Sequence, residues 1–231
     1  MTRVAVLDYG MGNLRSVEKA LEHVGAEAEI TRDHDRITNA AGVVLPGVGA
    51  FPKAIEAVRA LELDHAIAGA RAGGVPVLGV CLGLQLLFES SSELGGGEGL
   101  GLLQGSVEPL DAPGLKVPQI GWNEVAWSRE SRLTRGLPDP CAFYHVHSFA
   151  VGADERDVLG TAEYGSPFVS AVERTQLGTG TQSDTGDSEP SGGEVFGVQF
   201  HPEKSGPSGL ALLGNFVGIC AEAEVAGGLA A

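Results

Sequence analysis

Cys81 stands in the stretch GVCLGLQ, residues 79–85, with Gly79 two positions before it and Gly83 two positions after, directly behind the apolar run VPVL at 75–78. A thiol placed there can act as a nucleophile. The C-terminal end of a parallel strand exposes such a group only on a sharp strand-to-helix turn, whose strained backbone leaves little room for side chains two residues to either side. Gly79 and Gly83 supply that room. The helix expected from LGLQLLFESS points its N-terminus at the sulfur, and this dipole, with a neighbouring imidazole, favours thiolate over thiol. The plainer alternative is a small buried cysteine among glycines that help a helix pack on a sheet, and a Gly-x-Cys-x-Gly match does not by itself separate the two.

GVQFHPEKSG at 197–206 gives a strand ending in His201, followed by Pro202 and Glu203. A cysteine nucleophile needs a base to take its proton and a carboxylate to hold the imidazole in the right tautomer, and His201 and Glu203 can leave one strand end together to provide both. Alone, His-Pro-Glu reads as a turn; beside a cysteine elbow it reads as a catalytic pair. LPGVGAF at 45–51 is glycine-rich and again follows a strand. Acyl transfer needs backbone N–H groups aimed at a developing oxyanion, and glycine lets a peptide turn its N–H inward. Val48 or Gly49 can donate one, and Leu82, next after the nucleophile, the other. A phosphate-cradling loop is the rival, but PGVGAF fits neither GxxxxGK[ST] nor GxGxxG.

The elements that must position these groups alternate. RVAVLD (3–8) reads as a buried strand, NLRSVEKALEHVG (13–25) as a helix closed by Gly25, AEAEIT (26–31) as a strand, then AGVVLPG (41–47) and VPVLGV (75–80) as strands separated by helical stretches through 51–71. Strands alternating with helices predict an α/β fold, a central mostly parallel sheet with helices on both faces. After residue 100 a succession of β-type segments predicts an antiparallel extension. One domain is expected over 1–222, with a flexible tail at 223–231. The segment TQLGTGTQSDTGDSEPSGGE at 175–194 has one large apolar residue, Leu177, and no basic one, so a disordered acidic surface loop is expected there, its flanks FVSAVER and VFGVQF pairing as neighbouring strands. A domain linker is the competing reading, but too few residues follow it for a second domain.

With 231 residues, 43% of them hydrophobic, the chain is long enough for one sizeable core. No uninterrupted run approaches the ~18 apolar residues that cross a bilayer, and MTRVAVLDYG enters a strand without a secretory signal, so a cytoplasmic protein with no membrane partner is expected. Cys81, Cys141 and Cys220 form no CxxC pair and suggest neither a disulfide framework nor a metal site. The net charge of −15 argues against a nucleic-acid partner. Lys19, Lys53, Lys116 and Lys204 are the only lysines. An acidic, lysine-poor surface fits either an ordinary acidic enzyme or a halophilic one kept soluble in concentrated salt.

GVCLGLQ, PGVG and FHPEKS together resemble the class I, triad-type glutamine amidotransferases, over nearly the whole chain. Within them, DYGMGNL (8–14) and VPQIGWN (117–123) resemble the glutaminase subunits of imidazole glycerol phosphate synthases, of histidine biosynthesis. The resemblance implies Cys81 as nucleophile, His201 as general base and then acid, and Glu203 as its orienting carboxylate. It implies Gly47, Gln85, Glu93, Tyr144, His147 and Ser148 around the substrate L-glutamine; separately, one of His145 and His147 is expected to face away if their strand alternates. Asn13, Gln119, Trp122 and Asn123 are implied at the interface with a partner. That partner is a separate (β/α)₈-barrel cyclase subunit receiving the ammonia, since 231 residues leave no room for a synthase domain; no cofactor is required. Gln119 stands where histidine is frequent and Phe149 where tyrosine is frequent, and the acidic loop looks inserted. The rival readings are a free-standing thiol hydrolase, a glutaminase serving another synthase, and a non-catalytic binding subunit. By composition alone Trp122 would be core, since a large aromatic most often packs.

Overall fold

The computed structural model describes residues 1–153, 156–175 and 192–228; most of the expected acidic loop, residues 176–191, and the last three residues lie outside the described residues. The strands are β1 Arg3–Leu7, β2 Glu27–Thr31, β3 Gly42–Gly47, β4 Val77–Cys81, β5 Phe88–Ser91, β6 Gly97–Glu98, β7 Leu103–Pro109, β8 Gln119–Trp127, β9 Cys141–His147, β10 Phe149–Ala153, β11 Val158–Tyr164, β12 Ser166–Arg174 and β13 Val195–Val198. The α-helices are α1 Leu14–His23, α2 His34–Thr38, α3 Phe51–Ala60, α4 Leu63–Ala72, α5 Leu82–Leu86 and α6 Gly206–Gly228, and a 3₁₀ turn covers Pro202–Lys204.

Parallel strands run in the order β2-β1-β3-β4-β13. β3, β4 and β13 are buried at every position, which is why they read as continuous apolar runs rather than alternating ones. One face of the sheet packs Val4, Val6, Val44 and Leu78 against Leu21 of α1 and Leu213 and Phe216 of α6. The other packs Ala5, Leu7, Val43 and Leu45 against Phe51 and Ile55 of α3, Ile67 of α4 and Leu84 of α5. Beyond β13 the sheet turns antiparallel through β12, β10 and β7, with β11, β8 and β9 as a side branch from β12. The pairing of Ala171–Arg174 with Val195–Val198 makes the two flanks of the acidic segment neighbours, as their patterns predict.

The described chain departs from the sequence reading in several places. The helix expected over 82–91 stops at Leu86, and Phe88–Ser91 forms β5, paired with β7. The carbonyls of Leu86 and Leu87 are taken by the N–H groups of Leu100, Leu102 and Leu103, so tertiary pairing overrides the helical pattern of LGLQLLFESS. The strand leading to His201 ends at Val198; from there Gln199 N–H bonds Ser170 O at 2.8 Å and His201 N–H bonds Tyr144 O at 2.9 Å, drawing the chain toward β9. α6 continues through 223–228, where a flexible tail is expected. Its stretch Gly206–Gly227 is also long and apolar enough for a membrane span by those two criteria, with a mean hydropathy of 1.4, although no uninterrupted apolar run shows it. Leu212, Leu213, Phe216, Val217, Ile219 and Cys220 of that helix are buried in the core, which accounts for its apolar character without a bilayer.

Candidate active site

β3 and β4 lie side by side so that Gly47 pairs with Cys81, bringing the PGVG loop and the elbow together at the C-terminal edge of the parallel sheet. Cys81 adopts φ 55°, ψ −110°, a left-side conformation that a non-glycine residue occupies only under tertiary constraint. The two flanking glycines are sterically required. A Cβ on Gly79 would meet backbone atoms of Gly83 and Leu84 at 2.7 Å, and one on Gly83 would meet the Leu45 carbonyl oxygen at 1.7 Å.

The elbow opens on a pocket of about 270 Å³ lined by Val48, Gly49, Cys81, Leu82, Gln85, Glu93, Pro118, Val146, His147, Ser148 and Phe149. His201 and Glu203 lie beside it, the ring Nδ1 2.9 Å from Glu203 Oε1 and both side chains almost wholly buried. Burial works against a charge on His201, but the Cys81 side chain and the Glu203 carboxylate outweigh it and push the imidazole up to about 9. Among the described residues no hydrogen bond of ordinary geometry reaches His201 Nε2, although the Cys81 side chain is close enough to raise the imidazole, and the sulfur also lies 3.8 Å from Val146 O and 3.7 Å from Gln199 Nε2. The cysteine, imidazole and carboxylate are therefore gathered in one place by the ends of two adjacent parallel strands.

Gln85, nearly fully buried, directs its Nε2 to Phe149 O at 3.3 Å and to Gln199 Oε1 at 3.2 Å, which leaves its own Oε1 as an acceptor. Glu93 accepts the Phe51 N–H at 2.8 Å at the start of α3 and lines the pocket, so it is not plain loop surface. His147 Nδ1 lies 2.7 Å from Phe149 O and its Nε2 2.9 Å from the Gln119 side-chain amide. Burial, assisted by the charge of His201 and opposed by the Phe149 bond, holds this ring down at about 4, hence neutral. A carbonyl can only accept, so Nδ1 carries the proton and Nε2 is bare; the Gln119 amide, placed with Oε1 toward Nε2, must then be turned over so that its NH₂ donates there.

His147 lines the pocket and His145 does not, but the expectation that one of them turns away needs correction. Residues two apart on a strand share a face, and both rings are buried on the same side of β9, with centroids 5.8 Å apart. His145 is packed into the core, bonded to Phe143 O and Ser170 Oγ. Tyr144, expected to close the pocket, is not among its lining residues and packs edge-on against Trp122 at 6.3 Å. Gly47 supports the loop from behind, a Cβ there meeting the Tyr9 hydroxyl at 2.3 Å, while that hydroxyl donates to Pro46 O at 2.7 Å.

Of the residues expected at a partner interface, Trp122 is 60% exposed, which removes the core reading of this tryptophan. Ile120, which sequence reasoning passed over, is exposed beside it at 61%. Gln119 is not exposed: alternation along β8 turns it inward to His147. Asn123 donates to Glu163 O at 2.9 Å, tying β8 to β11, and Asn13 precedes α1, accepting from Ser16 Oγ at 2.9 Å. Sequence reasoning also missed Gln199 and Tyr9. A fully buried glutamine within FGVQFH was a legible signal, because polar side chains in apolar runs are kept only with partners.

A family model described as glutamine amidotransferase class-I matches residues 5–219. The chain is 46% identical over 217 residues, 94% of either chain, to imidazole glycerol phosphate synthase subunit HisH of Moorella thermoacetica. It is 42% identical over 221 residues to the protein of the same name from Methanosarcina mazei, covering 95% of this chain and all of the relative. Among solved structures, a putative GMP synthase protein from Thermoplasma acidophilum superposes with a TM-score of 0.69 at 20% identity, over 98% of this chain and 97% of that one. PurLQS from Thermotoga maritima follows with 0.65 at 21%, over 94% and 98%; at such identities these two speak for the fold. The chain belongs to the class I glutamine amidotransferases, in the HisH family of glutaminases.

Proposed function

We propose that this chain is the glutaminase subunit of an imidazole glycerol phosphate synthase. It hydrolyses L-glutamine to glutamate and ammonia and hands the ammonia to a separate (β/α)₈-barrel cyclase subunit. The cyclase aminates and cyclises a phosphoribosyl-formimino nucleotide precursor to imidazole glycerol phosphate and an aminoimidazole carboxamide ribonucleotide. The observation that carries the catalytic half is the convergence of Cys81, at the strained end of β4, with the His201–Glu203 pair at 2.9 Å. The HisH relatives support the rest.

In this reading the Cys81 thiolate attacks the side-chain amide carbon of glutamine, forming a C–S bond as the carbonyl electron pair moves to oxygen. Leu82 N–H and an N–H of Val48 or Gly49 hold that oxyanion. Imidazolium His201 gives its proton to the departing nitrogen, the C–N bond breaks, and ammonia leaves a γ-glutamyl thioester. His201 then takes a proton from water, whose oxygen attacks the thioester and returns the thiolate. Glu203 keeps the imidazole oriented throughout. Gln85 Oε1 and the Glu93 carboxylate are two acceptors suited to the substrate ammonium, and Ser148 and His147 border the same space. The cytoplasm suits a reaction whose product is handed directly to a second protein chain.

The partner surface is read in the apolar strip Ile120 and Trp122, which begins next to the pocket-lining Pro118, with Val48 40% exposed. DYGMGN lies against the PGVG loop through Tyr9 and through Met11, whose Cε would sit 2.5 Å from a Cβ on Gly49. Gly49 has φ +117°, so its peptide can reorient at little cost. Docking of the cyclase then completes the oxyanion hole, and a missing donor costs about 100-fold or more in turnover. The test is glutamate release and cyclised product measured in parallel, with and without the cyclase and its nucleotide ligand. Weak hydrolysis alone and stimulation of about 100-fold are expected, with most of it lost in folded Trp122→Ala. Full activity of the isolated chain overturns activation, and cyclised product formed from glutamine, with no ammonia added, in the absence of this chain overturns the function.

The −15 charge is read as adaptation to concentrated salt. Screening the surplus carboxylates raises the thermal midpoint from dilute buffer to molar potassium chloride; a midpoint that falls steadily with added salt contradicts the reading.

A further inference from the structure

Gln199, the residue just after β13, is fully buried between Gln85 and the Cys81 sulfur. Its amide orientation follows from a chain of contacts that starts at a backbone carbonyl. Phe149 O can only accept, so the Gln85 NH₂ must face it. The same NH₂ faces Gln199 at 3.2 Å, so that side of Gln199 must be its oxygen. What remains for the sulfur, 3.7 Å away, is the Gln199 N–H. The two contacts of the sulfur thus suit different ionisation states. Val146 O, at 3.8 Å, can only accept and favours the thiol; Gln199 Nε2 can only donate and favours the thiolate.

The other sources of support for the anion are the helix behind the elbow and His201. α5 has five residues instead of the longer helix that LGLQLLFESS suggests, so little macrodipole accumulates behind its N-terminus. His201 supports it by its charge, the Cys81 side chain being among the causes that raise the imidazole, and the Gln199 N–H adds a neutral donor from another side of the sulfur. We propose that Gln199 is a further catalytic residue, whose side-chain N–H, aimed by Gln85 and Phe149 O, stabilises the Cys81 thiolate ahead of attack. The inference rests on Cys81 being the nucleophile.

The experiment is the pH dependence of iodoacetamide alkylation of the full chain, with the modified cysteine located by peptide mass. Gln199→Met keeps the length of the side chain and removes the donor. Gln199→Glu keeps the shape and the oxygen held by Gln85 and puts a second oxygen toward the sulfur. A hydrogen bond to a charged group lost in this way slows alkylation roughly tenfold or more below the midpoint of the profile. The midpoint therefore moves to higher pH by at least about one unit, with the high-pH plateau kept. A purely structural role would change the plateau and leave the midpoint. An unshifted midpoint in either folded variant overturns the role of Gln199. Wild-type label on Cys141 or Cys220 instead of Cys81 overturns the nucleophile assignment itself.

Discussion

Cys81→Ala abolishes glutamine hydrolysis by the chain and by its complex with the cyclase, while the complex still makes cyclised product when ammonia is supplied. The thiol is the atom to which the glutamyl group is transferred, so its loss removes the covalent route altogether. Nucleophile losses in triad enzymes cost on the order of 10⁶ in turnover, and loss of the base costs about as much because the two act as a unit. His201→Ala is therefore expected to match Cys81→Ala in glutamate release, and Glu203→Gln, which keeps a hydrogen-bonding shape at 2.9 Å from the ring, to cost less. None of these changes reaches the site where ammonia is consumed. Glutamine turnover near wild type in purified Cys81→Ala ends the assignment, and loss of the ammonia-dependent reaction shows that the complex, not the chemistry, was damaged.

Gly83→Ala has the second-largest expected effect, and it acts through the backbone. The new methyl would sit 1.7 Å from the Leu45 oxygen and 2.7 Å from the Leu45 carbonyl carbon, atoms of a fully buried strand that cannot swing aside as a side chain can. Overpacking a core typically costs about 1–3 kcal/mol, and a clash with two backbone atoms beside the nucleophile exceeds that range. Either β3 moves away from β4, disturbing the Gly47–Cys81 register, or the elbow relaxes and Cys81 leaves its φ of 55°. Both outcomes remove glutaminase activity. Gly218→Ala, on α6 with nothing within 4 Å of its added Cβ, serves as the comparison and is neutral or stabilising by up to about 1 kcal/mol. Urea unfolding and glutamate release on the two variants check this; equal stability and activity in both contradict the steric account of the elbow.

Much of the fold was legible because the parallel strands are buried on both faces: Val43–Leu45, Val77–Val80 and Val195–Val198 could hardly be anything else once helices alternate with them. The elbow was legible for a steric reason, since only glycine fits at 79 and 83. What local pattern could not show depends on long-range partners. LGLQLLFESS has helical spacing, but the 100–103 segment claims the carbonyls of Leu86 and Leu87 and ends the helix early. Trp122 looks like core until β8 is seen to place it on the open face, whereas Gln119, of the same motif, is turned inward by the same alternation. Tyr144 and His147 are three apart on β9, so they face opposite ways, and only His147 reaches the pocket. FGVQFH marks Gln199 as a polar residue in an apolar run, but its partners Gln85 and Cys81 lie more than a hundred residues away in sequence and no local pattern names them.

The triad assignment is tested most directly by treating the chain, together with its cyclase and nucleotide ligand, with a chloroketone analogue of glutamine and locating the adduct by peptide mass. The analogue presents an electrophilic carbon where the amide would be attacked, and the three cysteines Cys81, Cys141 and Cys220 are separate reporters. A single adduct on Cys81, prevented by excess glutamine and absent in Cys81→Ala, is the predicted result. Glutamine-protected labelling of Cys141 or Cys220, or loss of glutaminase activity with Cys81 unmodified, contradicts it.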